Sequence, residues 1–93
     1  MVTTARLPLG QTVATPGALK AFVRTGESPL SFLNRHQAGD WGDIDAEDAA
    51  ENELSLGEGF RILSVYHLQD GTKLYCITEA DRSATTFLLP SEY

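Results

Sequence analysis

An Asp-Gly pair at positions 70 and 71 separates two stretches that are typical of β-strands. The stretch before it, FRILSVYHLQ over residues 60–69, and the one after it, TKLYCITE over residues 72–79, are rich in β-branched and aromatic side chains. Such side chains fit a pleated, half-buried surface. Asp-Gly is favoured in two-residue loops of type I′, where both residues need positive φ. The pair therefore predicts a β-hairpin with a two-residue loop.

A two-residue loop fixes which residues of the two strands face each other. It pairs Val65 with Cys76 and places Tyr66 directly across from Tyr75. Because side chains alternate between the faces of a sheet, one face then carries an apolar set. This set comprises Leu63, Val65, Leu74 and Cys76. We expect this face to be the floor of the core, and the face with Tyr66 and Tyr75 to be the wetter one.

A second turn after Glu79 is predicted to lead into a third strand over residues 84–89. Pairing of Glu79 with Ala84 would bring Phe87 onto the apolar face, because alternate residues share a face. Residues 60–89 are therefore predicted to form a three-stranded antiparallel β-meander.

Three helices are predicted upstream, each opened by a side chain that can cap the first turn. The capping residues are Thr15, Ser28 and Asp45. Proline follows the first two caps, at the helical position where it is best tolerated. Gly26 and Gly39 end these two helices, and the third is expected to run to Glu58. The side chains expected to face the core include Leu19, Phe22 and Val23 in the first helix and Ala50 and Leu54 in the third.

Residues 10–15 (GQTVAT) are predicted to add a short strand to the sheet edge, and residues 1–9 are expected to be flexible. A chain of 93 residues allows a single domain, residues 1–93. The predicted fold is therefore α+β, with three short helices packed on one face of a three- to four-stranded antiparallel sheet.

The charge balance limits the classes of partner. Thirteen acidic residues against seven basic ones give a net charge of −6. This argues against direct nucleic-acid binding, which needs a basic surface, and against docking on an anionic membrane. The sequence contains no apolar run long enough to span a membrane, and its N-terminus lacks the apolar core of a signal peptide. The expected compartment is the cytoplasm.

Most of the acidic residues lie between positions 40 and 53. They are Asp40, Asp43, Asp45, Glu47, Asp48, Glu51 and Glu53. A calcium-binding loop needs glycine at its sixth position and glutamate at its twelfth. Counted from Asp43, those positions hold Asp48 and Leu54, so the run does not fit a calcium-binding loop. The single cysteine excludes a cysteine-based zinc site. We therefore predict neither a metal nor a cofactor. The run is either a solvated helix face or a contact surface for a basic protein.

Three other residues admit both a structural and a functional interpretation. Trp41, in the stretch GDWGD, either packs in the core with its N–H bonded or forms an exposed contact. Arg82 and Ser83, in the second strand turn, could bind an anion or could bond locally to their neighbours. Cys76 falls in the middle of a strand and is expected to be buried and unreactive.

Three stretches of the chain resemble a family of small bacterial proteins. They are LGQTVATPGAL (residues 9–19), FLNRHQAGDWGD (residues 32–43) and ITEADRSATTFLLPSEY (residues 77–93). Members are encoded on plasmids and integrative elements and are labelled plasmid-related or hypothetical, some automatically as a type I restriction endonuclease subunit. The resemblance implies a mobile-element setting and no particular activity. The restriction label has no support in these residues, because the chain lacks a glycine-rich cofactor-binding motif.

The leading hypothesis is a non-enzymatic protein-binding module that acts on a basic partner, such as a host-defence or plasmid-maintenance protein. Its candidate contact residues are Asp40, Trp41, Asp43, Glu47, Glu51, Arg82 and Ser83. One alternative is a small enzyme or toxin-like nuclease that uses Arg82, Ser83 and His67. Another is a structural homodimer that buries the face with Tyr66 and Tyr75.

Overall fold

The structure, a computed structural model, describes residues 5–93. Within them the chain forms four strands, three α-helices and a short 3-10 helix. In chain order these are β1 (Gln11–Ala14), α1 (Pro16–Thr25), α2 (Pro29–Gln37), α3 (Ala46–Glu58), β2 (Ile62–His67), β3 (Lys73–Thr78), β4 (Ala84–Leu88) and the 3-10 helix Pro90–Glu92. The α+β class is confirmed, and each helix begins after its predicted cap.

All four strands belong to one sheet, in the order β1-β4-β3-β2. Strands β2, β3 and β4 form the predicted antiparallel meander. Strand β1 occupies the predicted edge position, but it runs parallel to β4. The expectation of a purely antiparallel sheet is therefore wrong. A parallel pair needs a long crossover connection, and the three helices and two strands between β1 and β4 supply it.

Leu68 and Thr72 close the hairpin between β2 and β3, so its loop consists of three residues, 69–71, rather than the predicted two. Leu68 N–H donates to the Thr72 carbonyl at 2.9 Å, and Gly71 N–H donates to the Leu68 carbonyl at 2.9 Å. Gly71 has a φ of 88°, as expected for the left-handed residue that follows a type I turn in such a loop. The predicted strand pairing is therefore wrong by one residue.

This one-residue shift exchanges the two faces of β2. Tyr66 lies opposite Leu74 and Val65 lies opposite Tyr75, so the predicted Tyr66–Tyr75 pair does not form. The second turn follows the prediction, since Glu79 N–H donates to the Ala84 carbonyl at 3.0 Å. The resulting face toward the main core carries Ile62, Ser64, Tyr66, Leu74, Cys76, Thr78, Thr85 and Phe87.

The main core lies between this face and the first two helices. It contains Ala18, Ala21, Phe22, Phe32, Tyr66, Leu68, Leu74, Cys76 and Phe87. Phe22 of α1 packs edge-on against Phe87, with the ring centroids 5.3 Å apart. Leu19 and Val23, expected to face inward, are 51% and 83% exposed. The buried side of α1 is therefore made by Phe22 and two alanines, which let the helix approach the sheet closely.

A second cluster forms where the N-terminal segment meets α3. It contains Leu7, Trp41 and Ile62, with Ile44 and Leu56 packed against it. Arg6 N–H donates to the Gln37 carbonyl at 2.8 Å and Leu7 is 2% exposed, so these two residues contact the folded domain, and the expected flexibility of residues 5–9 stays a prediction. Residues 1–4 of that prediction lie outside the described part of the chain.

Helix α3 lies against strand β2 through a polar side chain. Asn52 donates from Nδ2 to the Leu63 carbonyl at 2.7 Å, and Leu63 N–H donates to Asn52 Oδ1 at 3.2 Å. The Asn52 amide thus takes the place of a neighbouring strand. Ala50 and Leu54, expected to face the core, are exposed instead.

The turn before α3 covers the same edge of β2. Val65 N–H donates to the Trp41 carbonyl at 3.0 Å, and Asp43 N–H donates to the Val65 carbonyl at 2.7 Å. Gly42, between them, has a φ of 76°, and a Cβ there would lie 2.1 Å from the Val65 carbonyl oxygen. This close approach requires glycine at position 42.

Within residues 5–93, no helix is both long enough and apolar enough to cross a membrane.

Candidate functional site

The outer side of α3 forms a shallow depression of about 440 Å³ in the protein surface. Its lining residues are Glu47, Asp48, Ala50, Glu51 and Leu54. Residues three and four apart lie on one side of a helix, which brings Glu47, Glu51 and Leu54 together. Leu54 is 56% exposed. We call these five residues the acidic surface; it combines three carboxylates with an exposed apolar side chain.

Among the described residues, the carboxylates of the acidic surface form no ion pair. The ion pairs formed by arginine are Arg6–Glu53, Arg24–Asp70, Arg35–Asp40 and Arg61–Glu79. Asp45 caps α3 by accepting from Asp48 N–H at 2.8 Å, and the positive end of the helix favours the acids of its first turn. Glu51 lies beyond that turn, so its charge is left to solvent or to a partner.

Asp40, another candidate contact residue, has a structural role in the turn. Its carboxylate accepts from Arg35 Nε at 2.7 Å and from Gly42 N–H at 3.1 Å. The hydrogen bond from Arg35 is the main reason that the pKa of Asp40 lies below its ordinary value. The Arg35 guanidinium also lies 4.5 Å from the centre of the Tyr66 ring. The charge of Asp40 is thus locally compensated.

Trp41 is packed inside the protein. Only 6% of the residue is exposed, and its Nε1–H donates to Glu53 Oε2 at 3.1 Å. The indole also meets the His36 ring edge-on, with 5.9 Å between the centroids. Of the two interpretations of Trp41, the structure therefore matches core packing. At this turn a partner would instead meet Asp43, whose side chain is 76% exposed and lies 3.5 Å from His67 Nδ1.

Arg82 holds the end of α3 to the second strand turn. Its guanidinium donates to the carbonyls of Phe60 at 2.7 Å, Ser55 at 2.9 Å and Glu79 at 3.2 Å. A cation beside the last carbonyls of a helix is electrostatically favourable. Because these bonds occupy both terminal nitrogens, Arg82 serves the fold rather than an anion site. Ser83 is exposed beside it, and its N–H donates to Asp81 Oδ1 at 3.0 Å.

The residues of the enzymatic alternative lie at opposite ends of the meander. His67 ends β2 beside the first hairpin loop. Arg82 and Ser83 lie in the turn between β3 and β4, next to the other end of β2, where Ile62 pairs with Thr78. The structure does not bring these three side chains into one pocket.

A buried chain of hydrogen bonds, missed in the sequence analysis, runs through the core below α2. His36 is 0% exposed; its Nδ1 lies 2.6 Å from Ser64 Oγ and its Nε2 lies 2.8 Å from Thr78 Oγ1. Thr78 Oγ1 lies 2.7 Å from Thr85 Oγ1, which donates to the Leu9 carbonyl at 2.8 Å. The chain thus joins α2, three strands and the N-terminal segment.

The last bond fixes the direction of every proton in this chain. Since Thr85 donates to a carbonyl, it must accept from Thr78, and Thr78 must in turn accept from His36 Nε2–H. A neutral imidazole then accepts at Nδ1 from the Ser64 hydroxyl. Burial favours this neutral form and lowers the pKa of His36 to about 4. The only sequence signal for this arrangement was the position of His36 four residues after Phe32, on the buried side of α2.

Cys76 and Tyr66 are buried polar groups without a reactive setting. Burial raises the pKa of the Cys76 thiol, so the thiol stays protonated, as expected for an unreactive cysteine. Tyr66 donates its hydroxyl hydrogen to the Asp40 carbonyl at 2.6 Å. Residues 5–93 contain no group of three His, Cys, Asp or Glu side chains placed to hold a metal ion.

A scan against protein-family models and searches of curated proteins and of solved structures found no match to this chain.

Proposed function

We propose that this chain is a non-enzymatic protein-binding module and that the acidic surface of α3 is its contact surface. The observation that carries the proposal is the set of three carboxylates that form no ion pair within the described chain, around the exposed side chain of Leu54. Elsewhere in the described chain, arginines compensate carboxylates in four ion pairs. A solvated surface needs no apolar centre, whereas a binding surface gains affinity from one.

The proposed partner is a basic segment of another protein with an apolar side chain among its lysines or arginines. The apolar side chain would enter the depression beside Leu54, and the bases would pair with Glu47 and Glu51. Charge complementarity of this kind accelerates association and excludes acidic partners, while the buried apolar contact slows dissociation. Asp43, exposed in the turn before α3, extends the negative charge toward β2.

The mobile-element setting implied by the resemblance narrows the class of protein proposed as the partner. A host-defence or plasmid-maintenance protein that handles nucleic acid carries a basic surface. A row of carboxylates on a helix can occupy such a surface by presenting negative charge at intervals, as a phosphate backbone does. We therefore propose a basic, nucleic-acid-handling protein as the partner class.

The test is a pull-down from a bacterial host with tagged protein at low and high salt. Replacing Asp43, Glu47 and Glu51 together by serine should abolish capture while the circular-dichroism spectrum stays unchanged. Capture by the unaltered protein should weaken as salt rises, because exposed charges are screened over roughly 8 Å at physiological ionic strength.

The matched control removes the same charge elsewhere. Glu27, Glu58 and Asp81 are exposed or half-buried carboxylates outside the acidic surface, and their triple serine variant should retain capture. Equal loss of capture in both triple variants would show that net charge alone is responsible. Capture that both triple variants retain, or that is insensitive to salt, would show that another surface binds. Either result refutes the proposal.

The homodimer alternative in its original form finds no support, because Tyr66 is 1% exposed and lies in the main core. No observation favours the enzymatic alternative, since its three residues are apart.

A further inference from the structure

Strand β1 leaves one edge of the sheet open. Gln11 N–H donates to the Ser83 carbonyl and Thr15 N–H to the Phe87 carbonyl, both at 3.0 Å. Because successive residues of a strand direct their backbone groups to opposite sides, the N–H and C=O of Thr12 and Ala14 point away from the sheet. Within residues 5–93 no backbone group lies on that side to bond them.

The two edges of the sheet are treated differently. The edge of β2 is covered by the bridge from Gly42 to Val65 and by the Asn52 amide. Proteins protect open edges with charges, prolines or bulges, and Gln11–Ala14 contains no charged residue and no proline. An unprotected edge of this kind is a template for another strand.

An apolar groove of about 210 Å³ lies beside this open edge. Val13, Leu19, Pro29 and Leu33 are among its lining residues. Val13 is 40% exposed and Leu19 is 51% exposed. Val23, one turn after Leu19 on α1, is exposed as well. Two of the seven large exposed hydrophobic residues of the described chain thus line this groove.

We propose that this edge binds the β1 edge of a second copy of the chain, so that two sheets join into one eight-stranded sheet. The charge distribution favours a second copy as the occupant. Residues 11–33 contain two bases and one acid, whereas residues 40–59 contain eight acids and no base. Because α3 lies beyond β2, at the far end of the sheet from β1, joining two β1 edges keeps the acidic surfaces apart.

The outward-pointing N–H and C=O groups of Thr12 and Ala14 also favour one register between the two β1 strands. In an antiparallel pair around a two-fold axis, Thr12 opposite Ala14 of the second copy uses all four outward groups of each strand and forms four hydrogen bonds. Thr12 opposite Thr12, or Ala14 opposite Ala14, forms only two. The four-bond register places Val13 directly opposite Val13 of the second copy, in a non-hydrogen-bonded pair with the Cα atoms about 4.5 Å apart. The grooves of both copies then meet on the same face of the joined sheet.

A disulfide tests this register directly. The proposed Val13–Val13 separation lies within the range of about 4.4–6.8 Å that a disulfide spans. A Val13→Cys variant should therefore form a covalent dimer under mild oxidation. Gln11→Cys is the matched control, because its two copies would lie four residues apart along the strands, or roughly 14 Å. The native Cys76 is buried, so any cross-link forms through the introduced cysteine. Equal cross-linking of both variants, or none of Val13→Cys, refutes the register.

Sedimentation of the unaltered chain over a range of concentrations tests the interface itself. The seam is smaller than a standard interface, so we expect dimers with a dissociation constant in roughly the micromolar range. Thr12→Pro removes an outward N–H and no bond to β4, and should raise that constant about 10- to 100-fold, because two of the four bonds are lost. Phe60→Lys, at an exposed apolar residue elsewhere, should leave it unchanged. A monomer at all concentrations, or a dimer that survives Thr12→Pro, overturns the proposal.

Discussion

Acid should destabilise this protein through the buried imidazole of His36. The neutral imidazole accepts at Nδ1 and donates at Nε2, and its ring contacts are Ser64, Thr78 and Trp41, none of them charged. Protonation at Nδ1 would turn an acceptor into a second donor facing the Ser64 hydroxyl, which would then need a new acceptor. Burial lowers the pKa of His36 from 6.5 in an exposed imidazole to about 4.

The sign and size of the effect follow from proton linkage. Below pH 6.5 the unfolded chain binds a proton at His36 that the folded chain rejects until pH 4 is reached, so stability falls as the pH falls through this window. The loss is about 2 kcal/mol between pH 7 and pH 5, and about 3 kcal/mol over the whole window. A domain of this size is typically stable by about 5–15 kcal/mol, so the loss is measurable.

Urea unfolding followed by Trp41 fluorescence measures this loss. With a slope of about 1–2 kcal/mol per molar urea, the midpoint should fall by roughly 1–2 M between pH 7 and pH 5. His36→Gln, which retains a donor and an acceptor, should lower stability at pH 7 and flatten the pH dependence. His67→Gln, at an imidazole whose side chain is 42% exposed, should leave the wild-type slope in place.

NMR provides the result that would refute this reasoning. The ring C–H signals of His36 should not move between pH 7 and pH 5 while the protein is folded. A folded-state titration midpoint near 6.5, or an equal loss of stability in wild type and His36→Gln, would show that the buried chain of hydrogen bonds does not exclude the proton.

Two further predictions concern glycine positions in the backbone and the hydrogen bonds that Arg82 donates to backbone carbonyls. Gly42→Ala should destabilise the fold by about 1–3 kcal/mol, because a Cβ at position 42 would clash with the Val65 carbonyl. Gly57→Ala should stabilise the fold by about 0.5–1 kcal/mol, because a Cβ at this position of α3 meets no other atom. Thermal unfolding compares the two, and equal effects would contradict the argument. Arg82→Ala should cost about 1–3 kcal/mol, since three carbonyls lose a charged donor, without changing partner capture. Loss of capture by a folded Arg82→Ala variant would instead assign Arg82 to the contact surface.

The helix limits could be predicted because they depend on neighbouring residues. Thr15, Ser28 and Asp45 each accept a hydrogen bond from an N–H of the turn that they cap. Capping and proline preference act within four residues, so the sequence displays them directly. The second strand turn was equally local and kept its predicted register.

The hairpin register could not be predicted from the loop alone. Asp70-Gly71 fits a two-residue loop, and it also fits the last two positions of a three-residue loop with a left-handed glycine. Burial distinguishes them, because the observed register places Tyr66 and Leu68 in the main core at 1% and 3% exposure. A shift of one residue moves every side chain of a strand to the other face, so this error placed Val65 rather than Tyr66 on the core face, while Leu74, Cys76 and Phe87 were placed correctly.

The buried polar side chains could not be predicted from the pattern of hydrophobic residues. Asn52 is buried because its amide bonds two backbone groups of Leu63, and His36 is buried because Ser64 and Thr78 satisfy both ring nitrogens. Each partner lies far along the sequence, so no local pattern signals it. For the acidic surface, the sequence identified the charges but not the exposed Leu54 among them.

The parallel pairing of β1 with β4 imposes an order on folding. Glu92 accepts from Thr15 Oγ1, 77 positions earlier in the sequence, and from Gly17 N–H at 3.0 Å, so the 3-10 helix after β4 holds the start of α1, directly after β1. Until β4 has been synthesised, β1 has no sheet to join, although α1 and α2 can already form. A nascent chain therefore carries β1 unpaired until β4 emerges, and unpaired strand edges of this kind are prone to aggregation.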